Sequence, residues 1–157
     1  MADSLSNMML GERYAAYHRR YPVVRTLILP GETEALLEML RCGEADLAFV
    51  IDRPICREEL VVASEQQVEM RFVAKRGSEW DTGRSISPEE LLRMPMLLTE
   101  AGISYRALLE QRLAEFHFTL SPFIETGNTE RLLELVMLGL GVSFLPAYVT
   151  EEAERCG

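Results

Sequence analysis

Apolar positions along the chain switch between a helical and an extended period, and the switches mark out the elements. Leu5, Met8, Met9 and Ala16 recur on roughly one side of a helix over 4–19, with Ser4 placed as its N-cap and Tyr21-Pro22 closing it. Residues 23–29 read as a strand. Thr33 is placed to cap a second helix carrying Leu36, Leu37 and Leu40, which stops at Gly43, a natural C′ residue. Residues 46–51 form a short apolar run, so this strand–helix–strand order predicts two parallel neighbours in an α/β sheet. Beyond Asp52-Arg53-Pro54, strands are predicted over 59–63 and 68–75, separated by the polar patch Ser64-Glu65-Gln66-Gln67, which reads as a hinge.

The second half is more sharply punctuated. Residues 77–83 are a polar loop, and Ser87-Pro88-Glu89-Glu90 is a helix start with Ser87 as N-cap, Pro88 at the first position and Glu90 set to close a capping box. Pro95 ends that helix. A strand over 96–99 follows, then a helix over 104–118 with Leu109, Leu113 and Phe116 on one face, a strand over 121–125, a helix over 129–138 and a strand over 142–145 ending at Pro146. Two α/β lobes, 1–64 and 65–157, fit this order better than one.

Composition adds bounds rather than detail. With 157 residues, 48% of them apolar, the chain can build a proper core, and a globular, soluble protein is expected. The longest apolar stretch, 132–145, is broken by Glu134, Gly139, Gly141 and Ser143, well short of the roughly 20 residues of a membrane span. No secretory pattern opens the chain, so a cytoplasmic location and no membrane partner are expected. Cys42, Cys56 and Cys156 form no C-x-x-C pair and suit a reducing compartment as plain thiols. His18 and His117 stand far apart with no ligand at metal spacing, so no metal site is expected. The net charge of −9 disfavours direct nucleic-acid binding, and the local basic cluster of Arg13, His18, Arg19, Arg20 and Arg25 reads as a solvated helix end.

Catalytic readings find no support. The chain has no G-x-S-x-G, no phosphate loop and no H-E-x-x-H, and Gly139-Leu140-Gly141 precedes a strand, as a helix-ending turn does. Asp52 lacks the acidic pair and strand-end lysine of a phospho-acceptor, and Glu34, Glu38, Glu44, Glu110 and Glu115 read as wet helix faces. What stands out is that four helices are entered through segments rich in Ser, Thr, Gly and Asn, around Ser4, Thr33, Gly102–Ser104 and Gly127–Thr129. Helix N-termini at the carboxyl ends of strands favour anions. Taken alone, each of these residues reads more readily as a simple cap.

The segments YHRRYP (17–22), GETEALLEMLRCGEADLAFV (31–50), LLTEAGISYR (97–106) and ETGNTERLLELVMLGLGVSFLP (125–146), with Ser4-Leu5-Ser6-Asn7, resemble in order and spacing the effector-binding domain of LysR-type transcriptional regulators. The resemblance spans nearly the whole chain. It implies a type 2 periplasmic-binding-protein-like α/β fold of two lobes with a hinge and a small-molecule effector, an organic anion among the candidates, in the cleft. By correspondence with the family, Ser4 and Thr33 would hold an anionic group of the effector. Gly102, Ile103 and Ser104, and Thr126, Gly127, Asn128 and Thr129, would border the cleft from the second lobe. No catalytic residue, cofactor or metal is implied. The family's helix-turn-helix is absent from this chain, so DNA contact is expected only through a further N-terminal domain. The first strand of lobe one and its C-terminal return are also absent, so lobe one is expected to be incomplete, with exposed strand edges and apolar surface. The full-length regulator is expected to be a homo-oligomer. Effector domains of the family pair antiparallel, making Met8, Met9 and Tyr14 either interface or internal core. Alternatives are a solute-binding protein of the same fold, or an enzyme on that scaffold such as a dehydratase.

Overall fold

A computed structural model describes residue 1 and residues 3–156, except for the side chains of residues 3, 7, 152, 155 and 156. The Cys156 thiol therefore lies outside the described residues. The chain folds as two units, Met1–Gln66 and Gln67–Gly157.

The regular elements of the first unit are helices α1 (Asp3–Met9), α2 (Glu12–Arg20) and α3 (Thr33–Arg41). The single helix expected over 4–19 is thus two. Gly11, the N-cap of α2, has extended backbone (φ −82°, ψ −151°), which interrupts the helical run. Ser4 lies inside α1 and not at its cap. Thr33 is the first residue of α3, and the cap position falls to Glu32, which makes no side-chain cap bond. Leu36 and Leu37 are buried as the spacing predicts. Gly43 ends α3 as expected, with φ 72° and with the Gly43 and Glu44 amides donating to the Leu40 and Met39 carbonyls at 3.1 and 2.8 Å. The strands expected over 23–29, 46–51 and 59–63 are not formed. A strand needs a ladder partner for its N–H and C=O groups, and among the described residues none supplies one. The apolar positions of these segments stay outside: Val23 is 89% exposed and Val61 92%.

The second unit is built on one sheet. Strands β1 (Met70–Val73), β2 (Met96–Leu98), β3 (Pro122–Glu125) and β4 (Val142–Pro146) take the order β1-β4-β2-β3. β1 runs antiparallel to β4, from Met70↔Pro146 to Val73↔Ser143. β2 is parallel to both neighbours, with Met96↔Val142 on one side and Leu98↔Glu125 on the other. Helices α4 (Pro88–Leu91), α5 (Ser104–Ala114), α6 (Thr129–Met137) and α7 (Ala147–Cys156) complete it.

Strand alternation sends core residues to both faces of this sheet. On one face Met96, Leu98 and Val142 pack with Leu91 and Leu113, while Leu97 and Leu145 pack with Leu132 and Val136 on the other. The Ser87 capping box forms as expected, Ser87 Oγ accepting from the Glu90 amide at 3.3 Å and Glu90 Oε2 from the Ser87 amide at 3.0 Å. α5 ends earlier than expected. His117 turns the chain at φ 62°, and the Phe118 amide returns to the Leu113 carbonyl at 3.0 Å. Gly139 (φ 84°) closes α6. Gly141 permits close approach of β4 to the segment before β2, since a Cβ there would lie 2.1 Å from the Pro95 carbonyl oxygen.

Candidate functional site

The connections around β2 decide where the second unit can hold a ligand. From β2 the chain crosses through α5, which contributes Leu113 to one face, and enters β3 beside β2. From β3 it returns through α6, which contributes Leu132 and Val136 to the opposite face, and enters β4 on the far side of β2. The segments leaving the carboxyl ends of β2 and β3 therefore diverge to opposite faces of a parallel pair. In open α/β sheets such a divergence marks the crevice where ligands bind. Gly102, Ile103 and Ser104 leave one strand, and Thr126, Gly127, Asn128 and Thr129 leave the other, so the fold brings these two groups to one edge. Ser4 and Thr33 belong to the first unit, in the opening turns of α1 and α3.

The two loops differ in how they start their helices. At α6, Asn128 Oδ1 accepts from the Arg131 amide at 2.9 Å, and the Asn128 amide donates to Thr126 Oγ1 at 3.3 Å. Thr129, the first residue of α6, is buried. At α5 the cap position is Ile103, whose side chain cannot accept a hydrogen bond, and Ser104 stands one residue inside the helix. The positive end of α5 thus has no side-chain cap. Glu100 enters the picture through Gly127: a Cβ on Gly127 would lie 3.2 Å from Glu100 Oε1, so the carboxylate is seated against the opposite loop.

Beneath the loops lies a buried cation. Arg106, 5% exposed, donates through Nη1 to the Thr99 carbonyl and, at 2.7 Å, to Glu125 Oε2, and through Nε at 2.9 Å to Glu110 Oε1. Thr99 follows β2 and Glu125 ends β3, so one guanidinium ties together the ends of the two strands that frame the crevice. Thr99 Oγ1 and the Tyr105 hydroxyl are buried there with no partner but each other. Burial pushes the Tyr105 phenol well above its ordinary value, and the hydrogen bond with the Thr99 hydroxyl pulls the other way.

Glu100, Arg106, Thr99 and Tyr105 are not marked as site residues by the sequence alone, although all four stand in the LLTEAGISYR segment. For Arg106 a signal existed. It precedes Leu113 by seven residues and Leu109 by three, which puts a charged residue on the buried stripe of its helix.

Elsewhere, Cys42 and Cys56 are exposed free thiols. The Cys42 thiol donates to Glu38 Oε1 at 3.3 Å, and that bond raises its pKa, the opposite of a reactive thiolate. Among the described residues no group of three or more His, Cys, Asp or Glu side chains is placed to hold a metal ion, and no helix is long and apolar enough to cross a membrane.

A doubly wound sheet with a polar crevice at its switch point defines an α/β ligand-binding module. Comparison with known proteins makes the class specific: the model of the LysR substrate binding domain matches residues 1–157, and the chain belongs to that family. The HTH-type transcriptional regulator YofA of Bacillus velezensis is 33% identical over 145 residues, covering 92% of this chain and 48% of that protein. The HTH-type regulator YwqM of Bacillus subtilis is 28% identical over 142 residues, covering 90% and 48%. The chain spans about half the length of these curated relatives. Among solved structures, the cofactor-binding domain of the Cbl transcriptional regulator superposes with a TM-score of 0.70 at 18% identity, covering 98% of this chain and 68% of that one. The regulatory domain of Synechocystis CcmR, solved in complex with 2-PG, gives 0.68 at 15%, covering 94% and 70%. The fold is the type 2 periplasmic-binding-like one, and the chain is an effector-binding regulatory domain of LysR type. The family and the two relatives named above are those of transcriptional regulators, which sets aside the enzyme alternative.

Proposed function

We propose that this domain senses a small organic acid in the cytoplasm and passes the signal to a DNA-binding region of a longer, homo-oligomeric regulator. The observation that carries the proposal is the switch point, where the start of α5, whose N-cap Ile103 makes no side-chain cap bond, and the Asn128-capped start of α6 follow two paired parallel strands. Peptide N–H groups at a helix start favour a carboxylate. We assign effector contact to Gly102, Ile103, Ser104, Thr126, Gly127, Asn128 and Thr129 on this unit, and to Ser4 and Thr33 on the first. Lobes are proposed at 1–64 and 65–157, the polar stretch 64–67 joining them. The helix-turn-helix regulators among the relatives support the DNA-linked role, and antiparallel pairing, with Met8 (48% exposed) at the interface, is the proposed assembly.

A ligand that binds only the folded state stabilises it, by about 2.7 kcal/mol at a hundredfold excess over Kd. A thermal-shift screen of small carboxylates against the chain is therefore the test. A hit that weakens on Thr33→Ala and on Asn128→Ala places the effector as proposed. Hits that survive both substitutions would remove these residues from the site.

A further inference from the structure

The sheet of the second unit has an outer edge at β1. In the order β1-β4-β2-β3, β1 pairs with β4 on one side, and among the described residues no strand lies on its other side. The ladder shows which residues face outward. The Ala147 amide donates to the Glu69 carbonyl at 2.8 Å, so Glu69, and by alternation Arg71 and Val73, turn their main-chain groups towards β4. Met70 and Phe72 turn theirs to the open side. A row of such unpaired N–H and C=O groups is a template for another strand.

The side chains along the edge decide what can lie there. Phe72 is 41% exposed and Val68 38%, on the face where the Phe72 ring meets Phe144 at 4.8 Å. Glu69 and Arg71 share the opposite face, with Arg71 donating to Glu69 Oε2 at 2.7 Å and to Glu154 Oε2 at 3.1 Å. Beyond the edge runs a groove walled from both sides of the sheet, by Trp80, Ile86 and Met94 on one and Leu133, Val136 and Met137 on the other. An added strand fits between such walls. The edge sequence complements itself. A second copy laid antiparallel about a two-fold axis at Met70 sets Glu69 opposite Arg71 and Val68 opposite Phe72, each pair occurring on both sides of the axis. Moving the axis by one residue sets Glu69 against Glu69 or Arg71 against Arg71, which like-charge repulsion disfavours. The axis at Met70 also joins outward-facing groups, Met70 with Met70 and Phe72 with Val68, in about six main-chain hydrogen bonds.

We propose that the β1 edge is an interface between two copies of this chain, which pair antiparallel about Met70 and join their four-stranded sheets into one. The surface belongs to the second unit and is separate from α1, where the pairing proposed above places Met8. It does not depend on the effector crevice. Because the same patch meets itself, the contact closes at two copies and leaves no further β1 edge exposed.

Exchanging the charges between chains tests this. Sedimentation velocity over a concentration series should show the wild-type chain assembling. Glu69→Arg sets arginine against arginine at both contacts, and Arg71→Glu sets glutamate against glutamate. Each variant alone should therefore assemble on the order of a hundredfold more weakly. Mixed one to one, the two variants restore opposite charges at both contacts and should recover the wild-type affinity to within about tenfold. Mixing cannot repair a side chain that merely supports its own fold, so this recovery separates the interface from an internal role. Met70→Pro deletes an outward N–H, leaves the β4 ladder its bonds, and should block assembly while the circular dichroism of the folded chain stays as in wild type. The Met70 and Phe72 amides should exchange more slowly as the chain concentration rises. A wild-type chain that stays monomeric, an assembly that neither charge variant weakens, or variants that remain apart on mixing would each overturn the proposal. Amides at Met70 and Phe72 protected equally at every concentration would overturn it too, and would give the edge to a segment of the same chain.

Discussion

Replacing Arg106 with Met keeps a long apolar stem and deletes every donor of the guanidinium. The Thr99 carbonyl is then left buried and unpaired, at a cost of about 1–3 kcal/mol. The lost ion pairs weigh less. The side chains of Glu110 and Glu125 are 36% and 42% exposed, so water takes over from the guanidinium, and each pair is worth at most about 1 kcal/mol. Partly offsetting these losses, a charged group no longer has to be desolvated. A net loss of about 2 kcal/mol is expected, and it falls on the second unit. The single tryptophan, Trp80, reports on that unit: it is half-buried and donates through Nε1 to the Gly139 carbonyl at 3.3 Å. With a urea slope of roughly 1–2 kcal/mol per molar, Trp80 fluorescence should show the midpoint falling by about 1–2 M. Glu125→Gln should lower it by less than half as much. A midpoint for Arg106→Met indistinguishable from wild type would refute the reasoning, because it would mean that water satisfies the strand ends as well as the guanidinium does.

Other substitutions probe separate features. Gly141→Ala places a methyl group 2.1 Å from the Pro95 carbonyl oxygen, so β4 must back away and strain the Val142 amide bond to that carbonyl at 3.0 Å. A loss of about 2–4 kcal/mol is expected in the same urea assay. Asn128→Ala removes the cap of α6 and should lower stability by about 1 kcal/mol, whereas Asn128→Asp should retain most of it. Glu90 is held at about 2 by the Arg84 guanidinium and then by the Ser87 amide, below the ordinary 4.5. A depressed folded pKa means that its contribution is full above about 4.5 and fades as the pH falls toward 2. The urea midpoints of wild type and Glu90→Gln should therefore converge over that acidic range, and a gap that stays constant would contradict the assignment.

What could be read from the sequence depended on how local each feature is. The capping box at Ser87, the left-handed closures at Gly43 and Gly139 and the short apolar strands of the second unit are written within a few residues, and each formed as expected. Residues 23–29 carry a comparable strand pattern but made no strand, because pairing is supplied by another segment and not by the pattern itself. α7 went unread for a local reason. Leu145-Pro146 precedes Ala147, so no Ser, Thr, Asp or Asn announces the helix. The loops of the candidate site were legible from their Gly, Ser and Asn content. Their meeting at one edge was not, since it follows from β2 pairing in parallel with β3 while α5 and α6 cover opposite faces. Arg106 and Glu100 gain their meaning only from that register.

The unequal hydrogen bonding of the two units has a kinetic consequence. Backbone amides in β2 and β4 sit in a paired sheet with Leu97 and Leu145 fully buried over them, so their exchange with deuterium requires that whole unit to open. Amides over 22–31 and 46–66 belong to no helix or ladder and should label within the shortest pulse. A mass spectrum of the intact chain taken minutes into labelling should therefore show a partly deuterated species, its retained protons tracing the second unit and the three short helices. A ligand bound as proposed would lengthen that retention in the segments it touches. Exchange can thus report occupancy of the site before the effector has a name.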